Sequence, residues 1–237
     1  MGRLQKSGVE FFVGVADGHQ YFGRDQPRQA YPWLVCGGLR DKKVRATNRG
    51  GKRISGDKYP TPKSALDAIS PVFAQLYEGG ALLEPSCGAG NVINYLRQAL
   101  PEAGPWFGVE IDPDFSKSWD QLGDDHKMIG DFLSMDFGAK RWAFVVGNPP
   151  YRDGEAFVRK SFELLEEGTG RLLFLLRLNF LGSQKRWQLF LDLPLAHVFV
   201  LSKRPSFTGN GTDATEYAWF LWDKRHPQGE PARLSVL

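Results

Sequence analysis

From about residue 59 onward, short continuous apolar runs alternate with stretches whose apolar positions recur every three to four residues. The runs ALLEP (81–85), WFGVEID (106–112), RWAFVVGNPP (141–150), GRLLFLLRLNFL (170–181), AHVFVLSK (196–203) and EYAWFLWDK (216–224) read as strands. A further short strand ends near Gly130. Unbroken apolar runs of this length suit strands covered on both faces, because a half-exposed strand would alternate apolar with polar. Between them, GNVINYLRQAL, PDFSKSWDQL, GEAFVRKSFELLEEG and SQKRWQLFLDL have helical spacing. The third of these stops at Gly168, a residue suited to a helix end. Such alternation predicts an α/β fold, a mostly parallel seven-stranded sheet with helices on both faces. Upstream, YPTPKSALDAISPVFAQLY (59–77) predicts another helix, which Pro71 is expected to bend or split. Residues 1–57 hold only short apolar runs, at Phe11–Val15 and Trp33–Cys36, and read as an N-terminal extension with some β character.

Composition narrows the class without deciding it. The 237 residues are 42% hydrophobic and 24% charged, which fits one large α/β domain with additions. Cys36 and Cys87 are too few and too far apart for a disulfide framework or a zinc site, so a reducing compartment and a cytoplasmic location are expected, with no metal. The stretch MGRLQKSGVEFFVGVADG is interrupted by Glu10 and Asp17 and reads as neither a signal peptide nor a membrane span. Myristoylation of Gly2 is disfavoured because the sixth residue is Lys6. Net charge is only +3, but its distribution is uneven. Residues 40–53 carry Arg40, Lys42, Lys43, Arg45, Arg49, Lys52 and Arg53 against the single Asp41. A basic, Gly-containing segment of this kind suits a phosphate backbone.

The candidate chemistry sits at strand ends. Glu84, Pro85, Cys87, Gly88 and Gly90 lie in LLEPSCGAGN, where small residues open a helix and let a ligand approach the backbone. The third glycine of a dinucleotide fingerprint and the Lys–Ser/Thr of a phosphate loop are both missing, so NAD and ATP are poor candidates. Glu84 would repel phosphate but suits a cationic amino-acid group. Glu110, followed by Ile111, lies about twenty residues past the glycines, where an acid commonly accepts both hydroxyls of a ribose. Asp131 and Phe132 end the next strand and offer an acceptor and an apolar face to a purine with an exocyclic amine. The fourth strand stops at Asn148, Pro149, Pro150 and Tyr151, an amide and stiff carbonyls followed by an aromatic ring. The Asn148 side-chain carbonyl and the Pro149 backbone carbonyl can hold an amine, and Tyr151 can stack on its base.

The ordered set EPSCGAG, VEID, GDF and GNPPY resembles the class I S-adenosylmethionine-dependent methyltransferases, and GNPPY resembles those that methylate an exocyclic or amide nitrogen. YPTP (59–62) resembles the N-terminal cofactor motif of amino-DNA methyltransferases, and RPSFTGNGTDATEYAWFLW (204–222) the base-stacking loop and last hairpin of N6-adenine enzymes. The resemblance covers residues 58–225 and leaves 226–237 as a tail. It implies a Rossmann-like fold with an antiparallel last strand and S-adenosyl-L-methionine as cofactor. It further implies that Tyr59, Thr61 and Pro62 help hold the cofactor, and that Phe207 forms a second wall of the base pocket.

The reaction expected is direct transfer to N6 of adenine in DNA, on a flipped-out base. Neither cysteine stands in a Pro-Cys pair, which disfavours cytosine C5 chemistry. Lys185, Arg186, Lys203 and Arg204 are expected to add phosphate contacts. No base-reading element is identifiable, so short or relaxed sequence recognition, or a specificity partner, is expected; a homodimer is left open. Adenine in RNA is the alternative substrate. A protein glutamine amide, which the same tetrapeptide also serves in release-factor methyltransferases, and a non-catalytic nucleic-acid-binding subunit fit less well.

Overall fold

A computed structural model describes residues 11–13, 60–115, 126–207 and 214–237. Its strands are β1 (Phe11–Val13), β2 (Leu82–Glu84), β3 (Trp106–Glu110), β4 (Lys127–Ile129), β5 (Phe144–Gly147), β6 (Arg171–Arg177), β7 (Leu195–Val200), β8 (Tyr217–Asp223) and β9 (Ala232–Val236). The helices are α1 (Lys63–Leu76), α2 (Asn91–Ala99), α3 (Gly154–Glu163) and α4 (Trp187–Asp192). All nine strands join one sheet in the order β1-β9-β7-β8-β6-β5-β2-β3-β4. Strands β4, β3, β2, β5 and β6 are parallel, and β8 runs antiparallel between β6 and β7. The chain leaves β2 toward β3 and β4 on one side and returns to build β5 and β6 on the other. Ligands of such sheets bind at that reversal, beyond the carboxyl ends of the strands.

The apolar runs are central strands because both faces are covered. On β6, Leu173 and Leu175 join the core under α1 and α2, while Leu172, Phe174 and Leu176 join the core under α3 and α4. On β8, Tyr217, Trp219 and Leu221 face the first core, and Ala218, Phe220 and Trp222 the second. Trp219 and Trp222 are fully buried.

Three expectations change. Residues 232–236 are a strand paired in parallel with β7, where a tail was expected. Phe11–Val13 pairs antiparallel with that strand, so part of the N-terminal extension belongs to the sheet, which has nine strands where seven were expected. Helix α1 continues through Pro71 as one element. The carbonyl of Asp67, which the proline leaves without its backbone donor, is approached by the Ser70 hydroxyl at 3.5 Å. Most of the helix expected at 113–122 lies outside the described residues. No helix among the described residues is long and apolar enough to cross a membrane.

Candidate active site

The carboxyl ends of β2, β3 and β5 bring the predicted residues to one rim. Gly88 (φ +49°) and Gly90 (φ +79°) hold left-handed backbone that a side chain would strain, and a Cβ at Gly88 would meet nothing within 4 Å. The turn between them opens α2. The Cys87 amide and thiol both donate to the Val109 carbonyl, at 3.0 and 3.1 Å, so this cysteine fastens the turn to β3.

Glu84 is 2% exposed. One carboxylate oxygen accepts the Ile93 amide at 3.2 Å, which caps α2. Burial pushes its pKa well above the ordinary glutamate range, and the nearby Glu110 carboxylate adds to the push. Glu110 accepts the amide of Gly88 at 2.8 Å and that of Asp112 at 3.0 Å, one on each oxygen. A carboxylate has about four acceptor positions, so this bonding orients Glu110 without exhausting it. Asp131 accepts the Leu133 amide at 3.0 Å. Among the described residues no ion pair reaches Glu84, Glu110 or Asp131. Ile111 and Ile129 are 66% and 45% exposed beside these acids.

Phe132 departs from expectation. Its ring is buried at 2% exposure against Phe157 and Phe137, so no apolar face is presented at the rim; its position fixes the loop instead. Lys160 of α3 completes that loop by donating to the carbonyls of Leu133 (3.0 Å) and Met135 (2.6 Å). Sequence reasoning gave no role to Lys160, which looks like an ordinary solvent-facing helix residue.

Gly147 lies against Glu84, one residue before Asn148. A Cβ on Gly147 would come within 3.3 Å of the Glu84 side chain, a tight contact that would push on that carboxylate. The Asn148 backbone carbonyl is 3.5 Å from the Ser86 hydroxyl. The Asn148 side-chain Oδ1 is buried and has no hydrogen-bond partner. A buried acceptor left unpaired costs about 1–3 kcal/mol, and such exceptions concentrate where a ligand supplies the missing donor. Pro149 is buried and Pro150 half-buried, with the Pro150 carbonyl accepting the Asp153 amide at 3.1 Å ahead of α3.

Tyr151 and Phe207 do come together. They meet edge to face, with centroids 6.3 Å apart and planes at 83°. A base held between two walls needs roughly parallel rings with a gap, so Phe207 does not oppose Tyr151 across an open slot in this conformation. Tyr217, at the start of β8, packs on both rings (5.6 and 4.9 Å), and the Arg177 guanidinium lies 5.0 Å from the Tyr151 centroid. Neither was predicted. The pairing of Arg177 with Tyr217 across β6 and β8 brings them here, and a charged residue ending the most apolar strand was the available signal.

Thr61 is buried, and the Pro62 carbonyl receives the first amides of α1. The Trp219 indole donates to the Ala65 carbonyl at 3.2 Å and ties that helix start to the sheet. Arg204 is ion-paired with Glu216, which competes with a phosphate role. Tyr59 and the basic residues of 40–53 lie outside the described residues.

No protein-family profile matches the chain. Over 115 residues, 47% of its length, it is 33% identical to the type II methyltransferase M.CvrRI of Paramecium bursaria Chlorella virus XZ-6E, of which it spans only 29%. A putative class I S-adenosylmethionine-dependent methyltransferase from Listeria monocytogenes superposes with a TM-score of 0.62 over 78% of this chain and 68% of that one, at 14% identity. The type I restriction-modification methyltransferase subunit from Streptococcus thermophilus gives 0.57, over 70% and 45%, at 14% identity. A putative RNA methyltransferase from Pyrococcus horikoshii gives 0.56, over 74% and 93%, at 15% identity. The fold is the Rossmann-like class I methyltransferase fold.

Proposed function

We propose that this chain, which has the fold of the class I S-adenosylmethionine-dependent methyltransferases, transfers a methyl group to the N6 amine of adenine in DNA. The observation that carries the reading is the buried, unpartnered Oδ1 of Asn148, three residues before Tyr151, whose ring packs with Tyr217 and Phe207. An exocyclic amine brings two N–H donors attached to a flat ring, which answers both features.

The rim fits S-adenosyl-L-methionine, the cofactor this fold implies. Buried Glu84 lacks a cationic partner and matches the methionine ammonium, with Thr61 and Pro62 near the carboxylate. Glu110 matches the ribose hydroxyls. Ile111 and the Asp131 loop match the purine. When bound, this cofactor supplies an electrophilic methyl group on a sulfonium.

The protein's part is to make a poor nucleophile competent. The lone pair of an aromatic amine is delocalised into its ring. Asn148 Oδ1 and the Pro149 carbonyl accept its N–H bonds and favour a pyramidal nitrogen whose lone pair is free to attack. Positive charge grows on that nitrogen, and carbonyl dipoles already aimed there stabilise it without reorganising. Tyr151 holds the base, which must leave its stack to reach the rim. No covalent enzyme intermediate is required.

The assignment of DNA draws on the likeness to a type II methyltransferase and on the basic segment 40–53. A specificity partner would supply base reading that the catalytic rim does not. The test is transfer from labelled S-adenosylmethionine to double-stranded DNA, single-stranded DNA, RNA and a protein extract in parallel, with nucleoside digestion. N6-methyladenine from DNA is expected. Label confined to RNA or protein overturns the substrate, label on N4 of cytosine overturns adenine but keeps the amine, and label on C5 of cytosine overturns the amine.

A further inference from the structure

Beyond Arg177 the rim continues into a turn that the proposed reaction does not use. Two short helical turns, Leu178–Phe180 and Gln184–Arg186, connect β6 to α4. The turn is anchored. Arg186 donates to the Phe180 and Asn179 carbonyls at 2.8 and 3.2 Å, and its guanidinium lies 4.5 Å from the Phe180 centroid. Leu189 of α4 is fully buried.

These anchors leave Trp187 facing outward, 52% exposed, with Leu181 at 36%. Together with Ser183 and Gln184 they line an open hollow of about 670 Å³. A large aromatic ring held on an anchored turn and left half in water is unusual for a core residue and typical of a contact surface. The charges next to it in the chain have one sign. Residues 177–191 include Arg177, Lys185 and Arg186 and no acid. The first acid, Asp192, is already engaged by Arg159 and Gln188, at 2.8 and 2.7 Å. Lys203 follows the carboxyl end of β7, which is parallel to β6 and so reaches the same rim.

We propose that Trp187, flanked by Leu181, is a stacking platform for an unpaired base of the substrate strand outside the catalytic pocket, with Lys185 on the adjoining phosphate. This rests on the reading that the substrate is nucleic acid. Any base offers a π-face, so such a platform adds affinity without reading sequence.

The test is the dissociation constant of a fluorescein-labelled single-stranded DNA oligomer for the parent, Trp187→Ala, Trp187→Phe and Lys185→Gln. Cofactor binding, melting and sedimentation are measured on each. Trp187→Ala is expected to bind DNA roughly 5- to 150-fold more weakly, with cofactor affinity and melting unchanged. Trp187→Phe is expected to stay near the parent. Lys185→Gln is expected to lower the salt slope by about one. Parent-like binding by Trp187→Ala overturns the platform. So does a parent dimer that Trp187→Ala converts to monomer, which makes the patch a contact between copies. A parent that binds cofactor but no oligomer overturns the nucleic-acid reading itself, a result distinct from either.

Discussion

Glu78 and Glu84 flank β2 at opposite ends, only six residues apart, and their surroundings drive them in opposite directions. Glu78 sits at the amino end of the sheet. Hydrogen bonds from Arg225 and then Arg171 hold its pKa down to about 2. Arg171 also bonds Asp223 at 2.7 Å and the Leu76 carbonyl, so both carboxylates there have a guanidinium partner. Glu84 sits at the carboxyl end, where burial pushes it up and no cation among the described residues answers it. Glu110, Asp131 and the Asn148 amide share that end, again without a charged partner among the described residues. The amino end closes on itself and serves the fold. The carboxyl end holds polar groups in place without matching them, and that mismatch is what a cofactor and an amine would complete.

The largest effect should come from opening the closed end. Arg171→Ala removes one partner from a network whose Arg171 and Asp223 side chains are 11% and 14% exposed. Stranding a largely buried carboxylate such as Asp223 costs up to about 3–5 kcal/mol, while the exposed Glu78 keeps Arg225. Denaturant melts should show a loss of that size, while the folded fraction keeps its cofactor affinity. A loss under about 1 kcal/mol would mean the network behaves as an exposed surface ion pair. Asn148→Ala is the converse change at the other end. Transfer should fall by roughly 10²–10³-fold, the usual effect of losing one preorganised polar group at the reacting centre. Stability should hold or rise, because the atom removed has no partner to lose. Turnover at the parent rate would remove Asn148 from the active site.

The sequence made the carboxyl end more legible than the amino end. Glu84, Gly88, Gly90, Glu110 and Asn148 could be placed because each ends a strand or opens a helix, and contiguous motifs carry that information. Strands β2, β5, β6 and β8 were legible because burial on both faces leaves unbroken apolar runs. Strand β9 was not, since an edge strand such as ARLSV buries only Ala232 and shows no such run. The Glu78–Arg171–Asp223–Arg225 network joins residues up to 147 positions apart, which no local pattern announces. The contact of Tyr151 with Phe207 was half legible. Their proximity followed from the resemblance, but their edge-to-face closure depends on Tyr217, whose place comes from the register of β6 with β8.

The smallest effect is the most discriminating, because it opposes two slopes in one stability curve. Glu78 is lowered from 4.5 to about 2, so its contribution is complete above pH 4.5 and is lost as pH falls toward 2. Glu84 is raised, so the unfolded chain ionises first. Stability therefore declines as pH rises above about 4.5 toward the folded value. Glu84→Gln keeps an acceptor for the Ile93 amide but cannot ionise. The ligand-free variant should melt higher than the parent at neutral pH, by about 2–4 °C for each kcal/mol recovered, and match it near pH 4. Its cofactor affinity should fall, since an amide cannot answer an ammonium. Melting curves from pH 4 to 8 with and without S-adenosylmethionine separate the contributions: cofactor should stabilise the parent more than the variant, and more so toward neutral pH. A variant that melts lower than the parent at pH 7 would place Glu84 with Glu78, as a structural carboxylate, and would take the ammonium site away from the end of β2.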